Sequence, residues 1–460
     1  MRYYSTRNRG ETFSFAEAAI AGLAPDGGLF IPEEIPQYPA AVKTSLGTMD
    51  FCDIAFETIK LYVKDDIPGA VLADIVHSAY PFGAPLVAVD SMLALELFHG
   101  PTAAFKDFGA RFMARVFAYI RRGEDKPLRI LVATSGDTGG AVADGFFDVP
   151  GIFVTVLYPK GRVTPLQEKQ IAGLGKNICA LAVEGSFDDC QRLVKAALAD
   201  NDLRKKTALS SANSINICRL IPQASYYTAA AGRALAGITD PDGDATPRAG
   251  GKGGQSGGGN QPAGKGAAGC GPVTLCVPSG NFGNLTAGLY AMKMGAPVKQ
   301  FIAATNVNKT VPDYLDSGEY LERITQATIS NAMDVGAPSN FERMAAHFSW
   351  EQMRQAILGV WVPDEDTREA IKRVYSEEGY FLDPHSAVAW KGIEKLKAEN
   401  KTGEGPVGIL CTAHPAKFSE VVEPLIGAVP VPASLERAMD RKVNSKTIPP
   451  ETAALLEELR

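Results

Sequence analysis

Short apolar, β-branched runs recur along this chain, and each hands over to a stretch with helical spacing. That alternation is what parallel strands joined by crossover helices require, because a tight turn cannot connect a parallel pair. An α/β fold follows. Strands are expected at 129–133, 152–158, 273–277, 300–304 and 407–411, and helices at 109–121 and 191–200. Three of these strands pass at once into loops of small hydrogen-bonding residues: Thr134-Ser-Gly-Asp-Thr-Gly-Gly140, Pro278-Ser-Gly-Asn-Phe-Gly-Asn284 and Thr412-Ala-His-Pro-Ala-Lys417. Ligands in open α/β sheets collect outside the carboxyl ends of strands, so a site is expected where these loops meet.

A fourth junction carries an amine. In Glu96-Leu-Phe-His-Gly-Pro-Thr-Ala-Ala-Phe-Lys-Asp-Phe-Gly109 an apolar strand runs into a helix at Lys106, between Phe105 and Phe108. Apolar surroundings disfavour an ammonium ion, which yields an amine able to form a Schiff base near neutral pH. Taken alone, the same lysine merely opens a helix and pairs with Asp107. The glycines of 279–284 let successive backbone N–H groups turn toward one point, and a helix starting near Leu285 adds its positive end. Such a loop suits a phosphate, although it also reads as a plain Gly-rich turn between strand and helix. The dinucleotide spacing G-x-G-x-x-G is missing, and a phosphate without a dinucleotide beside an apolar lysine points to pyridoxal phosphate.

With 460 residues, 45% hydrophobic and 21% charged, the chain has material for two or three domains. The expected division is 1–88, mostly helical; 89–236, an α/β unit carrying the lysine; 237–272, an insertion; and 273–460, an α/β unit carrying the phosphate loop. Between 240 and 272 stand twelve glycines and no aromatic residue, a composition that predicts disorder. The P-loop-like string Gly259-Asn-Gln-Pro-Ala-Gly-Lys265 within it lacks the following Ser or Thr and any preceding strand, which argues against nucleotide binding. A net charge of −6 gives no overall field for nucleic acid or an anionic membrane. Seven scattered cysteines without a Cys-x-x-Cys pair argue against a disulfide framework or a zinc site, and the five histidines show no metal spacing. The expected setting is the cytoplasm, with a small-molecule substrate; monomer and homodimer both stay open.

Longer strings make the reading specific. Gly22-Leu-Ala-Pro-Asp-Gly-Gly-Leu-Phe-Ile-Pro32, the stretch around Lys106, Thr134–Gly139, Tyr158-Pro-Lys-Gly-Arg-Val-Thr-Pro-Leu-Gln-Glu-Lys169, Ala212-Asn-Ser-Ile-Asn-Ile-Cys-Arg219, the 280–284 loop, Asn331–Arg343 and Asp383-Pro-His-Ser-Ala-Val388 occur in order along nearly the whole chain. In these the chain resembles the threonine synthases, pyridoxal-phosphate enzymes of the tryptophan-synthase-β (fold type II) group. Only the Gly-rich insertion departs from that pattern.

The resemblance implies two open, mostly parallel α/β domains with the active site between them, plus a smaller, mostly helical N-terminal domain. It implies conversion of O-phosphohomoserine and water to threonine and phosphate; a related phospholyase releasing a keto acid is the alternative. Lys106 is then the catalytic, cofactor-bonding lysine. Gly280, Asn281, Phe282 and Asn284 form the cofactor-phosphate cup, and Thr412 meets the pyridine nitrogen. Thr134, Ser135 and Thr138 approach the substrate carboxylate, while Asp137 either serves the cofactor hydroxyl or caps a helix. Asn213, Ser214 and Arg219 match the substrate-phosphate contacts, the arginine offering a bidentate fork. Lys160, Arg162 and Lys417 either join them or form surface ion pairs. His99, His385 and His414 are expected as supports of the site, not as catalysts.

Overall fold

The computed structural model describes residues 1–240 and 270–459. The expected disorder of the Gly-rich insertion and its P-loop-like string therefore lie outside the described residues, apart from the insertion's two ends. Among the described residues the strands are β1 (Tyr3–Ser5), β2 (Phe30–Pro32), β3 (Leu86–Val89), β4 (Met92–Glu96), β5 (Leu128–Ala133), β6 (Ile152–Pro159), β7 (Ile178–Val183), β8 (Ala208–Ser211), β9 (Val273–Pro278), β10 (Val298–Thr305), β11 (Ile357–Trp361), β12 (Val407–Cys411) and β13 (Lys446–Ile448). The central strands are buried on both faces, which is why they read as unbroken apolar runs.

Two sheets carry the molecule. One has the order β11-β10-β9-β12-β4-β3, parallel except where β3 turns antiparallel to β4; the other has the order β13-β7-β6-β5-β8 and is parallel throughout. From β9 the chain runs outward to β10 and β11, whereas β12 and β4 lie on its other side. From β5 it runs to β6 and β7, with β8 on the opposite flank. Each sheet thus reverses its winding, at β9/β12 and at β5/β8. Loops leaving neighbouring strands toward opposite faces open a crevice at their carboxyl ends, so both reversals fall where the loops singled out from the sequence begin.

The sheets are not contiguous segments of sequence. The division expected at 89 falls inside the β3–β4 hairpin, and both of its strands join the sheet of β9 to β12. Near the C-terminus β13 pairs with β7 in the other sheet. Burial of apolar faces decides strand pairing, and proximity in sequence yields to it.

The N-terminal region holds the two-stranded β1–β2 sheet and helices at Phe15–Ala21, Ala40–Ser45, Phe51–Val63 and Gly69–Ala79. The first is started by a capping box between Ser14 and Glu17, and the third by Asp50, whose carboxylate accepts from the N–H groups of Cys52 and Asp53. One tie to the rest of the chain is Arg343, which is fully buried. That guanidinium donates to the Phe30 carbonyl at 3.0 and 3.1 Å, to the Ile215 carbonyl at 2.8 Å and to Asn340. Burial lowers its pKa to about 10. Arg343→Met is expected to strand these carbonyls and cost about 3 kcal/mol of stability, read as a lower urea midpoint at unchanged m-value.

Candidate active site

Both winding reversals open onto one cleft of about 840 Å³. Lys106, Thr134, Ser135, Asp137, Thr138, Asn213, Ser214, Arg219, Gly280, Asn281, Phe282, Asn284 and Thr412 all line it. Residues from five separate stretches of sequence thus face one space. The Lys106 helix spans Lys106–Ile120 and starts three residues earlier than expected, making the lysine its first residue. The preceding loop is zipped to the end of β12: Leu97 N–H donates to Cys411, Phe105 N–H to Thr412, and His414 N–H to Ala103. This lacing sets the amine beside the β12 loop.

Around Lys106 the charges are few and buried. Its Nζ lies 3.4 Å from Asp137 Oδ2, and its side chain is 14% exposed. Burial pulls the Lys106 pKa down; Asp137 opposes this, and the positive charges of Lys417 and Arg219 reinforce it. Burial alone would raise the Asp137 pKa, yet Lys417 and Lys106 together hold it well below the usual carboxylate range. Asp137 opens the helix Asp137–Phe146 without capping it, so the capping alternative fails. Its second partner set is Gln167 Nε2 at 2.9 Å and Lys417 Nζ at 2.8 Å, both on Oδ1. Gly136 permits that approach: its φ is 140°, and a Cβ there would sit 2.4 Å from the Gln167 amide.

Behind the lysine, Asp107 is buried and accepts from the Thr102 N–H at 2.9 Å and hydroxyl at 2.6 Å. Burial nevertheless pushes its pKa up to about 6.

The opposite wall is the loop 279–282 and the start of the helix Gly283–Met294. Phe282 adopts a left-handed conformation with φ 59°, and the first helical bond is donated by Thr286. The N–H groups of Gly283, Asn284 and Leu285 accordingly lack helical acceptors, the condition under which a helix N-terminus can receive an anion. A Cβ at Gly280 would lie 2.6 Å from the Ala332 carbonyl, so only glycine lets the loop pass this close to 331–333. Asn284 Oδ1 accepts from the hydroxyls of Tyr226 and Tyr227, the latter at 2.7 Å, while its Nδ2 is buried with no partner. A buried amide donor with no partner is an expensive arrangement unless a ligand completes it. Together with the Thr412 hydroxyl at the end of β12 and the shielded amine, these groups fit pyridoxal phosphate.

Other expected residues are tied to protein. Asn281 donates from Nδ2 to the Ser214 hydroxyl at 2.6 Å and accepts from Ser339 N–H, while its carbonyl accepts from Asn340 N–H at 3.4 Å. Asn213 is pinned to Ala133 through both amide atoms. The Thr134 hydroxyl accepts from the N–H groups of Gly136 and Gly139, which shapes its own loop. Arg219 differs. Buried, it donates Nη1 to the Ala212 carbonyl at 2.7 Å; its Nε has no partner, and no carboxylate pairs with it among the described residues. Burial lowers its pKa to about 10. A desolvated guanidinium lining a cleft without a counter-ion is a place for a substrate anion.

Lys160 forms an exposed ion pair with Glu184 at 3.1 Å. Lys417 is a correction: it is neither at the surface nor in the cleft wall, but entirely buried against Asp137. His385 accepts the Ala332 N–H on Nε2 at 3.2 Å and pairs through Nδ1 with Asp383, so it props the wall at 331–333. His99 pairs with buried Glu96 at 2.8 Å, and Tyr380 donates to the same carboxylate. Sequence reasoning missed Tyr226, Tyr227 and the orienting role of Gln167. No local pattern marks the tyrosines, whereas Gln167 stood within the matched string 158–169.

Family models match in three stretches: the threonine synthase N terminus at 2–80, the pyridoxal-phosphate dependent enzymes at 266–413 and the threonine synthase C-terminal model at 386–459. The threonine synthase of Escherichia coli (strain K12) is 40% identical over 99% of this chain and 98% of its own length. That of Serratia marcescens is 40% identical over 98% and 96%. The crystal structure of the E. coli enzyme covers 100% of this chain and 99% of its own at 39% identity, with a TM-score of 0.84. A pyridoxal-phosphate-bound threonine synthase from Brucella melitensis covers 100% and 98% at 34% identity, with a TM-score of 0.85.

Proposed function

Since this chain belongs to the threonine synthase family, a group of pyridoxal-phosphate lyases, we propose that its cleft converts O-phosphohomoserine and water to threonine and inorganic phosphate. The observation that carries the choice of substrate is Arg219: a buried cation with no paired carboxylate among the described residues, lining the same cleft as Lys106 and the 280–284 loop. One amine is thus flanked by two anion sites, as a phosphorylated substrate and a phosphorylated cofactor together require.

In this reading Gly280, Asn281, Phe282 and Asn284 would hold the cofactor phosphate, the free Asn284 amide among their donors, and the Thr412 hydroxyl would be the partner for the ring nitrogen. Lys106 bonds the cofactor. When bound, pyridoxal phosphate supplies an electron sink for charge left on the substrate carbons. Ser135 and Thr138 hydroxyls hold the substrate carboxylate, with Thr134 shaping their loop. The Lys106 amine would take protons from Cα and Cβ and return one to Cγ and, after water has added, one to Cα, a role suited to a nitrogen whose pKa burial has lowered. Arg219, with Asn213 and Ser214 beside it, stabilises the phosphate leaving Cγ. Water then adds at Cβ.

We also place the enzyme in the cytoplasm. All seven cysteines are free, and no helix among the described residues is long and apolar enough to cross a membrane. Incubation with O-phosphohomoserine is expected to release phosphate and threonine in equal amounts. Phosphate accompanied by a keto acid in place of threonine would overturn the synthase assignment while leaving the cofactor chemistry intact.

A further inference from the structure

Lys417 has no part in the chemistry described so far, yet it is built in with unusual care. It sits on the short turn Pro415–Phe418 that follows β12, and its side chain is wholly excluded from solvent. Its ammonium donates to the Thr102 carbonyl at 2.8 Å and faces Asp137 Oδ1 at 2.8 Å. Burying a lysine is costly unless it is paired and hydrogen-bonded, and here both conditions are met within one turn of the reactive amine. Gln167 Nε2 takes the same oxygen at 2.9 Å, so Oδ2 alone is left toward Lys106.

Two lysines therefore share one carboxylate, and the charge balance has a consequence. Lys417 and Asp137 neutralise each other. Lys106 can then release a proton without leaving an uncompensated anion in a buried site. Without Lys417, Asp137 would have Lys106 as its nearest counter-ion and would hold the proton on that nitrogen. The charged groups facing the Lys106 amine are Asp137 from the helix Asp137–Phe146, Lys417 from its turn and Arg219 from the helix Ile217–Leu220; His385, on the helix Pro384–Ala398, acts on Asp137. Of the cations other than Lys106, Lys417 alone lies within ion-pair distance of Asp137 among the described residues.

We infer that Lys417 is a positioning residue for the reaction: it neutralises Asp137, holds the free carboxylate oxygen toward Lys106, and so lets the Lys106 nitrogen exchange its proton near neutral pH. This rests on Lys106 being the lysine that bonds the cofactor.

The test is a pH titration of the visible absorption of the substrate-free holoenzyme, with pH profiles of kcat/KM, for wild type, Lys417→Met, Lys417→Arg and Asp137→Asn. In Lys417→Met the spectral midpoint moves upward by about one pH unit, and the acid limb of kcat/KM moves with it. Lys417→Arg keeps the charge and stays near wild type. Asp137→Asn removes the anion, and its midpoint moves downward. An unmoved midpoint in Lys417→Met, or an arginine variant displaced as far as the methionine one, overturns the inference. Should Lys417→Met fail to fold, Asp137→Asn decides: a midpoint at or above that of wild type overturns it equally. A wild-type holoenzyme without a borohydride-sensitive band would instead remove the cofactor role of Lys106 itself.

Discussion

Lys106→Ala is expected to lose the visible band that borohydride abolishes in the wild type, and to form threonine about 10⁴-fold more slowly. The size follows from the number of tasks that one nitrogen performs. It is the amine in the cleft that burial, assisted by Lys417 and Arg219, has moved toward its neutral form, and Asp137 lies 3.4 Å away to receive it when charged. Among the described residues the other lysines near the cleft are placed otherwise: Lys417 is sealed behind Asp137, and Lys195 stands on the separate helix Phe187–Ala199. The phosphate loop is untouched by the substitution, so the variant should still bind pyridoxal phosphate, without the covalent bond. Dialysis should then remove the cofactor from the variant and not from the wild type. The decisive pair of measurements is absorbance before and after borohydride, and threonine by product analysis. Threonine formed at a rate within tenfold of wild type would take the lysine out of the mechanism.

Arg219→Met should lower kcat/KM for O-phosphohomoserine by about 10²–10³-fold, the usual cost of deleting a preorganised donor to a developing anion. Inhibition by inorganic phosphate should weaken in parallel. The expectation comes from a contrast between two buried arginines. Arg343 spends its donors on the carbonyls of Phe30 and Ile215 and on Asn340, which leaves it a structural tie. Arg219 spends Nη1 on Ala212, leaves Nε without a partner and lines the cleft. A buried cation kept without a counter-ion destabilises the empty site, so its removal should cost less stability than that of Arg343 while costing far more activity. Urea midpoints and steady-state kinetics of the two methionine variants test both halves. If Arg219→Met keeps its phosphate inhibition, the leaving-group site lies elsewhere in the cleft.

The elements expected from the sequence lie where they were read, with shifts at their ends. Val407–Cys411 is a strand with the bounds expected, because a strand buried on both faces is a closed apolar run ended by a polar loop. The helix expected from 191 begins at Phe187 instead, since Ser186 and Asp189 form a capping box ahead of the apolar pattern. The exchange of strands between sheets left no local trace: β3 and β4 are as apolar as their neighbours, and nothing in their residues says which sheet they join. Cleft-lining residues were legible where a loop leaves an apolar strand, as with Lys106, Asp137, Asn284 and Thr412. The orientation of their side chains was not, because the Asn284 amide is turned by Tyr226 and Tyr227 from another helix.

Residue order alone was enough to establish the α/β class and to point to the strand-end loops that line the cleft, while the candidate roles of the lysine, the Gly-rich loop and the arginine came with the family resemblance. Periodicity, glycine placement and capping act over a few residues, so they survive in one dimension. The assignment of charges needed the packed molecule. Lys417 could be read from its neighbours as a phosphate contact or a surface pair; it became the counter-ion of Asp137 because packing removed water from both and brought them to 2.8 Å. Desolvation and ion pairing depend on distances through space, and those exist only once the two sheets have met.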